Sequence, residues 1–600
     1  MSRIQIENFR TFHRLDVSVG QHLVIVGENK IGKSNLLHAL RLVLDPELPD
    51  SARNLVADDF WDGLKAAGSP VARGEKIKIS VDLTDFEGNN NILSVLAEHV
   101  IQANPLVARL TYLFRPRLDL GEPPKKESDY EFVVYGGDRE DCTFGYELRK
   151  RLPMTVLQAL RDAEGDLESW RRSPLRPLLD KAAGSIERSK LETVASQVTT
   201  AANAVSQLNE IKDLSKLIAK RMRDMVGSQA LQTSFGFTPT DPDRLIRELR
   251  LMIDQGQRGV GRASLGSANL LYITLKVLEY EELVEEGKRD HTFLAIEEPE
   301  AHLHPHLQRL VYRDLLQKRS HLAGNSSRDS RAPQTLLLTT HSPHIASVAP
   351  VRSLLLLRKA AGKASTEAVS TAKVSLDQKD EADLERYLDV TRGEMLFARG
   401  VLLVEGEAEE YVVPVLGREL GYDFDALGIT VCNIRGTNFE PYVKFLGPQG
   451  LGIPFAVITD FDPQEDGTNL GEKRVKKILK HLMEPSAHAK LSVRGVASEA
   501  SKYGVFLNQY TFEVDLFRSG RHKSMCTTIS ELTTVAAARG RAASWKADLK
   551  KMTPTQFLKD IEKIGKGRFA QRLASRISGR ACPSYIQEAI KYVAAKCEPR

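Results

Sequence analysis

Six hundred residues exceed what one hydrophobic core organises, so the chain is expected to fold as two to four domains. With 42% hydrophobic and 27% charged residues it falls among ordinary globular proteins. A formal net charge of +5 is small for this length and by itself names no partner.

The charge is unevenly spread. Arg541 to Arg600 carries about 14 Lys or Arg against about 5 Asp or Glu, roughly +9 in one tail. Such a tail suits a phosphate backbone and suits a solvated helix face equally well. The five cysteines (Cys142, Cys432, Cys526, Cys582, Cys597) show no CxxC spacing, which argues against a disulfide framework and a zinc site and fits a reducing compartment. No basic region followed by an apolar stretch opens the chain, and no run approaches the ~20 apolar residues that cross a bilayer. The expectation is a cytoplasmic protein with no membrane segment.

In chain order, Ile4 and Ile6, then Leu15, Val17 and Val19, alternate as two short strands around Asn8-Phe9-Arg10. A buried strand, Leu23 to Val26, runs into Gly27-Glu28-Asn29-Lys30-Ile31-Gly32-Lys33-Ser34, a GxxxxGK[ST] loop between strand and helix. Glycines let backbone N–H groups approach phosphates, and a helix starting near Lys33 adds its positive end. Lys33 is then placed for the β- and γ-phosphates of ATP and Ser34 for Mg²⁺.

Downstream, the strand Phe293 to Ile296 ends in Glu297-Glu298. Two acids at a strand end beside a phosphate site supply one metal-side carboxylate (Glu297) and one that orients the attacking water (Glu298). A second strand, Leu336 to Thr340, ends in His341, suited to sense the γ-phosphate. This order of elements resembles the ABC-type ATPases related to SMC and RecF proteins. That resemblance implies a signature segment supplied in trans across an ATP sandwich. Gly259 to Asn269, opening a helix Leu270–Glu282, stands where it belongs, with Ser264 and Gly266 as its ATP-facing residues; a plain helix N-cap is the alternative. His302 and His304, beside the acid pair, suit signalling between subunits better than metal binding.

The ATPase is interrupted. From Arg149 to about Gln229, within a segment bounded at 149–235, apolar residues recur at helical spacing (Leu157, Leu160, Leu167; Val194, Val198; Leu208, Ile211, Leu214, Leu217). Antiparallel helices inserted at this point read as a dimerisation module or as a cap on their own domain. Phe237 to Asp243 then returns the chain to the ATPase, which continues to about residue 358. Residues 359–398 read as a linker.

A second α/β region follows over 399–600, its strands Gly400–Val404, Ile429–Asn433, Phe455–Ile458 and Val505–Asn508 alternating with helices, as in a parallel sheet. Acids cluster at the strand ends, where such sheets place ligands. Glu405 and Glu409 lie one helical turn apart; Asp460 and Asp462, as residues i and i+2 of an extended segment, share a side; Glu513 and Asp515 follow the fourth strand. Together these are hard oxygen donors for Mg²⁺ or Mn²⁺, enough for two ions.

Val404-Glu405-Gly406 with Asp460-x-Asp462 resembles the Toprim domain of topoisomerases, primases and nucleases. Adding Glu409, Arg435-Gly436, Glu513 and Lys566-Gly567-Arg568-Phe569-Ala570, the series is similar to the OLD (overcoming lysogenization defect) nucleases, whose ABC ATPase–Toprim order spans nearly the whole chain. The resemblance implies that Glu405, Glu409, Asp460, Asp462 and Glu513 hold two metals and that Lys566 steadies charge on the scissile phosphate. It implies DNA as substrate, a dimer or tetramer, and a role in phage defence of the Gabija kind with an accessory protein. Two other readings stay open. One is an SMC/RecF-like clamp with a non-catalytic Toprim scaffold. The other is a topoisomerase or primase, although no zinc cluster and no identifiable nucleophilic Tyr supports it.

Overall fold

A computed structural model of the protein describes residues 1–159, 162–226, 234–235, 241–253, 258–317, 334–360, 365–464, 468–492 and 496–597. They divide into two compact units. One comprises Met1–Ala159, His291–Glu300 and the chain from His304 onward; the other comprises Leu160–Asp290 with Ala301–Leu303.

The first unit begins with a hairpin, β1 (Arg3–Phe9) and β2 (Phe12–Ser18), in which Ile4, Ile6 and Phe9 face inward while Arg3 and Glu7 face water. The chain then makes β3 (Leu23–Gly27), buried along its whole length. It returns through β4 (Ile77–Leu83), β5 (Val100–Ala103), β6 (Leu106–Pro116) and β7 (Tyr130–Gly136) to complete an antiparallel sheet ordered β2-β1-β4-β6-β5, with β7 on β6.

The fully apolar β3 belongs to a second sheet with β8 (Met154–Leu157) and with strands from beyond the other unit's ribbon, β9 (Met252–Ile253) and β10 (Arg258–Gly259). These strands are β11 (Thr292–Glu297), β12 (Gln334–Thr339), β13 (Leu354–Lys359) and β14 (Thr366–Ser370), giving the order β14-β13-β3-β12-β11-β8. All pairings are parallel except that of β14. A parallel sheet must be covered on both faces, which is why β3, β11 and β12 are buried almost throughout and carry apolar residues at their centres. The helix Lys33–Leu44 joins Phe9, Phe12, Tyr112 and Phe293 in one core between the sheets.

The C-terminal region adds a four-stranded parallel sheet, β16-β15-β17-β18, from β15 (Gly400–Val404), β16 (Ile429–Asn433), β17 (Phe455–Thr459) and β18 (Val505–Leu507). The helices Glu407–Leu420, Lys566–Ala574 and Ser584–Cys597 close a core around Leu402, Val412, Phe517, Phe569 and Ile590.

Three expectations change. The segment from Arg149 is not helical throughout: Met154–Leu157 pairs in parallel with β11 and belongs to the sheet. Four residues are too few for period to declare a strand, and only the partner strand decides it. Residues 359–398 are not a bare linker, because β14 and the helix Gln378–Tyr387 order this stretch; Arg352 binds Glu381 at 2.8 Å. The helix expected from Leu270 runs from Leu265 to Glu285.

In the second unit the helix Leu265–Glu285 packs on Ala163–Glu168 and Leu175–Gly184, with an ion pair between Lys181 and Glu282. The helices Arg188–Asn203 and Asn209–Val226 leave Val194, Val198, Leu214 and Leu217 exposed, as is Leu208 between them. Of the segment expected to return the chain, Asp241 caps the helix Pro242–Glu248, whereas Phe237–Thr240 lie outside the described residues.

Candidate functional site

The nucleotide loop is held by backbone conformations that its sequence permits. Gly27 and Gly32 take φ of 154° and 110°. At Gly32 a Cβ would lie 2.3 Å from Thr11 Oγ1, so glycine is required there for space as well as for φ. The Lys33 ammonium donates to the carbonyls of Gly27 (3.1 Å) and Glu28 (3.0 Å), folding the loop around itself. Thr366 Oγ1 donates to the Ile31 carbonyl at 2.8 Å, and Arg399, one residue before β15, binds the Glu28 carboxylate at 2.7 Å. Asn29 lies in the loop, and Ser34 opens the helix beside Lys33.

Opposite the loop, β11 ends on Glu297, and the next residue, Glu298, turns to a φ of 42°. Its N–H donates to the carbonyl (3.0 Å) and hydroxyl (3.2 Å) of Thr339. Glu300 accepts from Thr340 Oγ1 (2.8 Å) and from the His341 N–H (2.6 Å), joining the acid strand to the histidine turn. Burial lowers the Lys33 pKa against the pull of Glu298 and Glu300; burial and then Lys33 lower that of His341, against Glu300 and Glu298. Lys33, Glu298, Glu300 and His341 therefore share one electrostatic site, and of these only Glu300 was missed by sequence. Its signal was its place two residues after the acid pair.

The signature residues belong to the other unit. Ser264 caps its helix, accepting from the Ser267 N–H at 3.3 Å. At Gly266 a Cβ would meet the His302 carbonyl at 2.3 Å, so the helix start lies flush against the 301–303 loop.

The second site lies at the ends of β15, β17 and β18. Glu405 accepts from Thr459 Oγ1, from the Asp460 N–H (3.0 Å) and from the Arg474 guanidinium (2.6 Å). The Gly436 N–H closes onto the Glu405 carbonyl at 3.0 Å, which accounts for the Arg435-Gly436 turn. Asp460 accepts from Asn508 Nδ2, while Asn508 Oδ1 takes the Phe461 N–H at 2.7 Å. Asp462 binds Arg474 at 2.8 Å. Glu409 and Glu513 are buried on their helices, and Lys566 reaches Glu513 at 3.4 Å. Asp515 accepts the N–H groups of Gln509 (2.8 Å) and Tyr510 (2.9 Å) and caps that loop.

The expected i, i+2 arrangement of Asp460 and Asp462 is not what forms. Asp462 has a φ of 50°, its N–H held by the Tyr510 carbonyl, so the turn sends the two carboxylates to different partners. Asp460 faces Asn508, and Asp462 faces Arg474.

Burying so many acids together is costly, and the titration behaviour records it. Burial, with repulsion from Glu513 and Glu405, pushes Glu409 up to about 8. Burial and then Glu409, Glu405 and Glu513 raise Asp460 well above the usual carboxylate range, and burial raises Glu405. Burial works against the charge on Lys566, yet Glu513, Asp460 and Glu409 hold its pKa above normal. Tyr585 is buried beside the cluster, its pKa raised by burial and then by Asp460 and Glu409. Among the described residues no three Asp, Glu, His or Cys side chains are gathered tightly enough to hold one ion as they stand. The donor set nonetheless fits hard divalent cations: buried carboxylates outnumber their cationic partners, and oxygen is the only donor type. Sequence reading missed Arg474, Asn508, Thr459 and Tyr585; Thr459 directly precedes Asp460 and could have been found from that place, whereas Arg474, Asn508 and Tyr585 stand at no telling distance from the acids they serve.

Two nucleotide- and acid-bearing α/β regions in this order define an ATPase domain followed by a Toprim-like region. The comparisons agree. Residues 396–462 match the family described as Overcoming lysogenization defect protein-like, TOPRIM domain, and residues 166–346 match the AAA ATPase domain. The OLD nuclease of Thermus scotoductus is 27% identical over 77% of this chain and 82% of its own length. Endonuclease GajA of Bacillus cereus is 22% identical over 80% and 77%. The solved C-terminal region of the Burkholderia pseudomallei OLD protein is 40% identical over 34% of this chain and 99% of its own, with a TM-score of 0.33. On that sequence identity the chain belongs to the OLD family.

Proposed function

We propose that this protein is a DNA endonuclease that hydrolyses phosphodiester bonds with two divalent cations, Mg²⁺ or Mn²⁺, under the control of its ATPase. One observation carries the reading: Glu405 with Glu409, Asp460 and Glu513 are brought from three separate chain segments to one buried place beside Lys566. No structural need explains such repulsion, and hard cations relieve it. Glu405, Glu409, Asp460, Asp462 and Glu513 would hold the ions, which when bound activate water and stabilise the leaving 3′ oxygen.

The chain's own groups have separable tasks. Asn508 fixes the Asp460 carboxylate, and the Thr459 hydroxyl and Asp460 N–H fix that of Glu405. Lys566, kept charged by its acidic neighbours, offers a cation to the non-bridging oxygens of the scissile phosphate. At the other site Lys33 and the loop amides bind the phosphates of ATP, and Ser34 and Glu297 hold its Mg²⁺. Glu298 orients the attacking water, and His341 senses the γ-phosphate. Ser264 and Gly266 contact ATP across a homodimer, whose subunits meet through the exposed apolar helices of residues 188–226. Further proposals are a defence role in the cytoplasm and an accessory partner protein; no helix among the described residues is long and apolar enough to cross a membrane.

The test is nicking of supercoiled plasmid by the full chain with Mg²⁺ or Mn²⁺, with and without ATP, beside Asp460→Ala. Metal-dependent nicking lost in Asp460→Ala supports the reading. Equal nicking by both proteins overturns it in favour of a DNA-binding clamp with a scaffold Toprim domain.

A further inference from the structure

Among the acids of the nuclease site, one cation is built into the site by several contacts. Arg474 lies on the helix Leu470–Leu479, whose first turn is tied to the acid-bearing loop: Asn469 caps it through the Glu472 N–H (2.8 Å), and the Gly471 N–H donates to the Phe461 carbonyl (3.0 Å). From there its guanidinium spans two carboxylates. One nitrogen reaches Glu405 Oε1 (2.6 Å), Thr459 Oγ1 (2.6 Å) and the Asp460 carbonyl (3.2 Å), and another reaches Asp462 Oδ2 (2.8 Å). Its side chain is only 12% exposed, so these contacts are shielded from water and salt. The carboxylates of Asp460 and Glu513 take other partners, Asn508 and Lys566, with the buried Glu409 beside Glu513, and Arg474 touches Asp460 only at its backbone carbonyl.

We propose that Arg474 makes the site load its two divalent cations unequally: the first enters among Asp460, Glu409 and Glu513, and the second binds Glu405 and Asp462 only as the guanidinium withdraws. A planar five-donor fork satisfies two carboxylates at once, and a second ion must displace that fork before it gains their charge. Arg474 is thus a positioning residue that keeps Glu405 and Asp462 apart and ready, at the expense of affinity for the second ion. The inference rests on the metal-nuclease reading above.

The test is Mn²⁺ binding by the metal-stripped full chain without nucleotide, followed by the electron-spin resonance of free Mn²⁺, for wild type, Arg474→Gln, Arg474→Lys and Asp460→Ala. Wild type is expected to show one tighter and one weaker ion, with the tighter lost in Asp460→Ala. Arg474→Gln should tighten the weaker ion by about tenfold or more, because a charge within ~4 Å has been removed. Arg474→Lys keeps the charge but cannot bridge both acids, and should tighten it by a smaller factor; this variant carries the test if Arg474→Gln does not fold. The concentration of Mn²⁺ giving half-maximal nicking should fall in parallel. An unchanged weaker ion in both variants overturns the proposal. So does a loss of affinity for both ions together with a lowered melting temperature, which would make Arg474 a structural clip. If wild type binds no Mn²⁺ that depends on Asp460, the metal-nuclease reading itself falls.

Discussion

The two sites of this chain solve opposite electrostatic problems. The nucleotide loop receives an anion, and it is made from backbone: glycines at φ of 154° and 110°, a helix start, and one lysine that the loop's own carbonyls hold in place. The acid site receives cations and is made from side chains that repel one another, so it needs internal ballast in Arg474, Lys566 and Asn508. A backbone site is written in contiguous sequence, because its spacing is its geometry. A side-chain site is assembled from distant segments, and the groups that make it tolerable need bear no fixed spacing to the groups that do chemistry.

The largest expected effect separates the two chemistries. Asp460→Ala should lower DNA cleavage by about 10³-fold or more while nucleotide affinity, measured by equilibrium binding, stays within twofold (roughly 0.4 kcal/mol) of wild type. A parallel loss of nucleotide binding would break the comparison, since the sites would then share their support. At the other site, Lys33→Ala should abolish nucleotide binding, and Glu298→Gln should bind ATP but hydrolyse it about 10²-fold more slowly or worse. Wild-type turnover in Glu298→Gln would hand the role of base to another acid, with Glu300, which binds the His341 N–H, the first candidate.

Lys566→Ala should reduce nicking by roughly 10²-fold, less than Asp460→Ala, because it removes one charge contact and no metal ligand. An equal loss would place Lys566 in the ligand framework.

The halves should also differ in acid. His22 is 2% exposed just before β3, accepting the Leu336 N–H through Nδ1 at 3.1 Å, and burial lowers its pKa to about 4. A histidine held neutral in the fold stabilises it above the unfolded pKa near 6.5, and that contribution is lost as pH falls from there to about 4. The loss is on the order of 3 kcal/mol and should weaken the ATPase sheet. Urea unfolding between pH 7 and pH 4, for wild type and His22→Gln, reads it; an equal slope in both would exclude His22. The smallest change expected is in assembly. Leu214→Glu with Leu217→Glu should halve the mass seen by light scattering without altering the fold, and an unchanged mass would leave those helices as a cap.

Much of both sites was legible in the order of residues, and the failures share a cause. Gly27 to Ser34 and the strands ending in Glu297, Glu405 and Asp460 declared themselves through apolar runs broken by chemistry-bearing residues. Met154–Leu157 did not, because its identity as a strand depends on β11, more than a hundred residues away. Arg474 was hidden among the lysines of a helix whose exposed face looks the same in sequence. The turn at Asp462 was misread as extended because its backbone is set by the Tyr510 carbonyl, a partner from another segment.

Gly471 has a consequence for how the protein can fail. Any side chain there would put its Cβ 2.4 Å from the Asp460 carbonyl and 2.8 Å from Phe461 Cα, neither of which is a flexible tip that could swing aside. The residue carries no functional group, yet the helix bearing Arg474 and the loop bearing both aspartates are spaced by its missing methyl. A change as mild as alanine would therefore act as a wedge between them. A screen for inactive variants would recover this glycine alongside the acids, and the lesion would pass for lost chemistry until the melting curve showed lost fit.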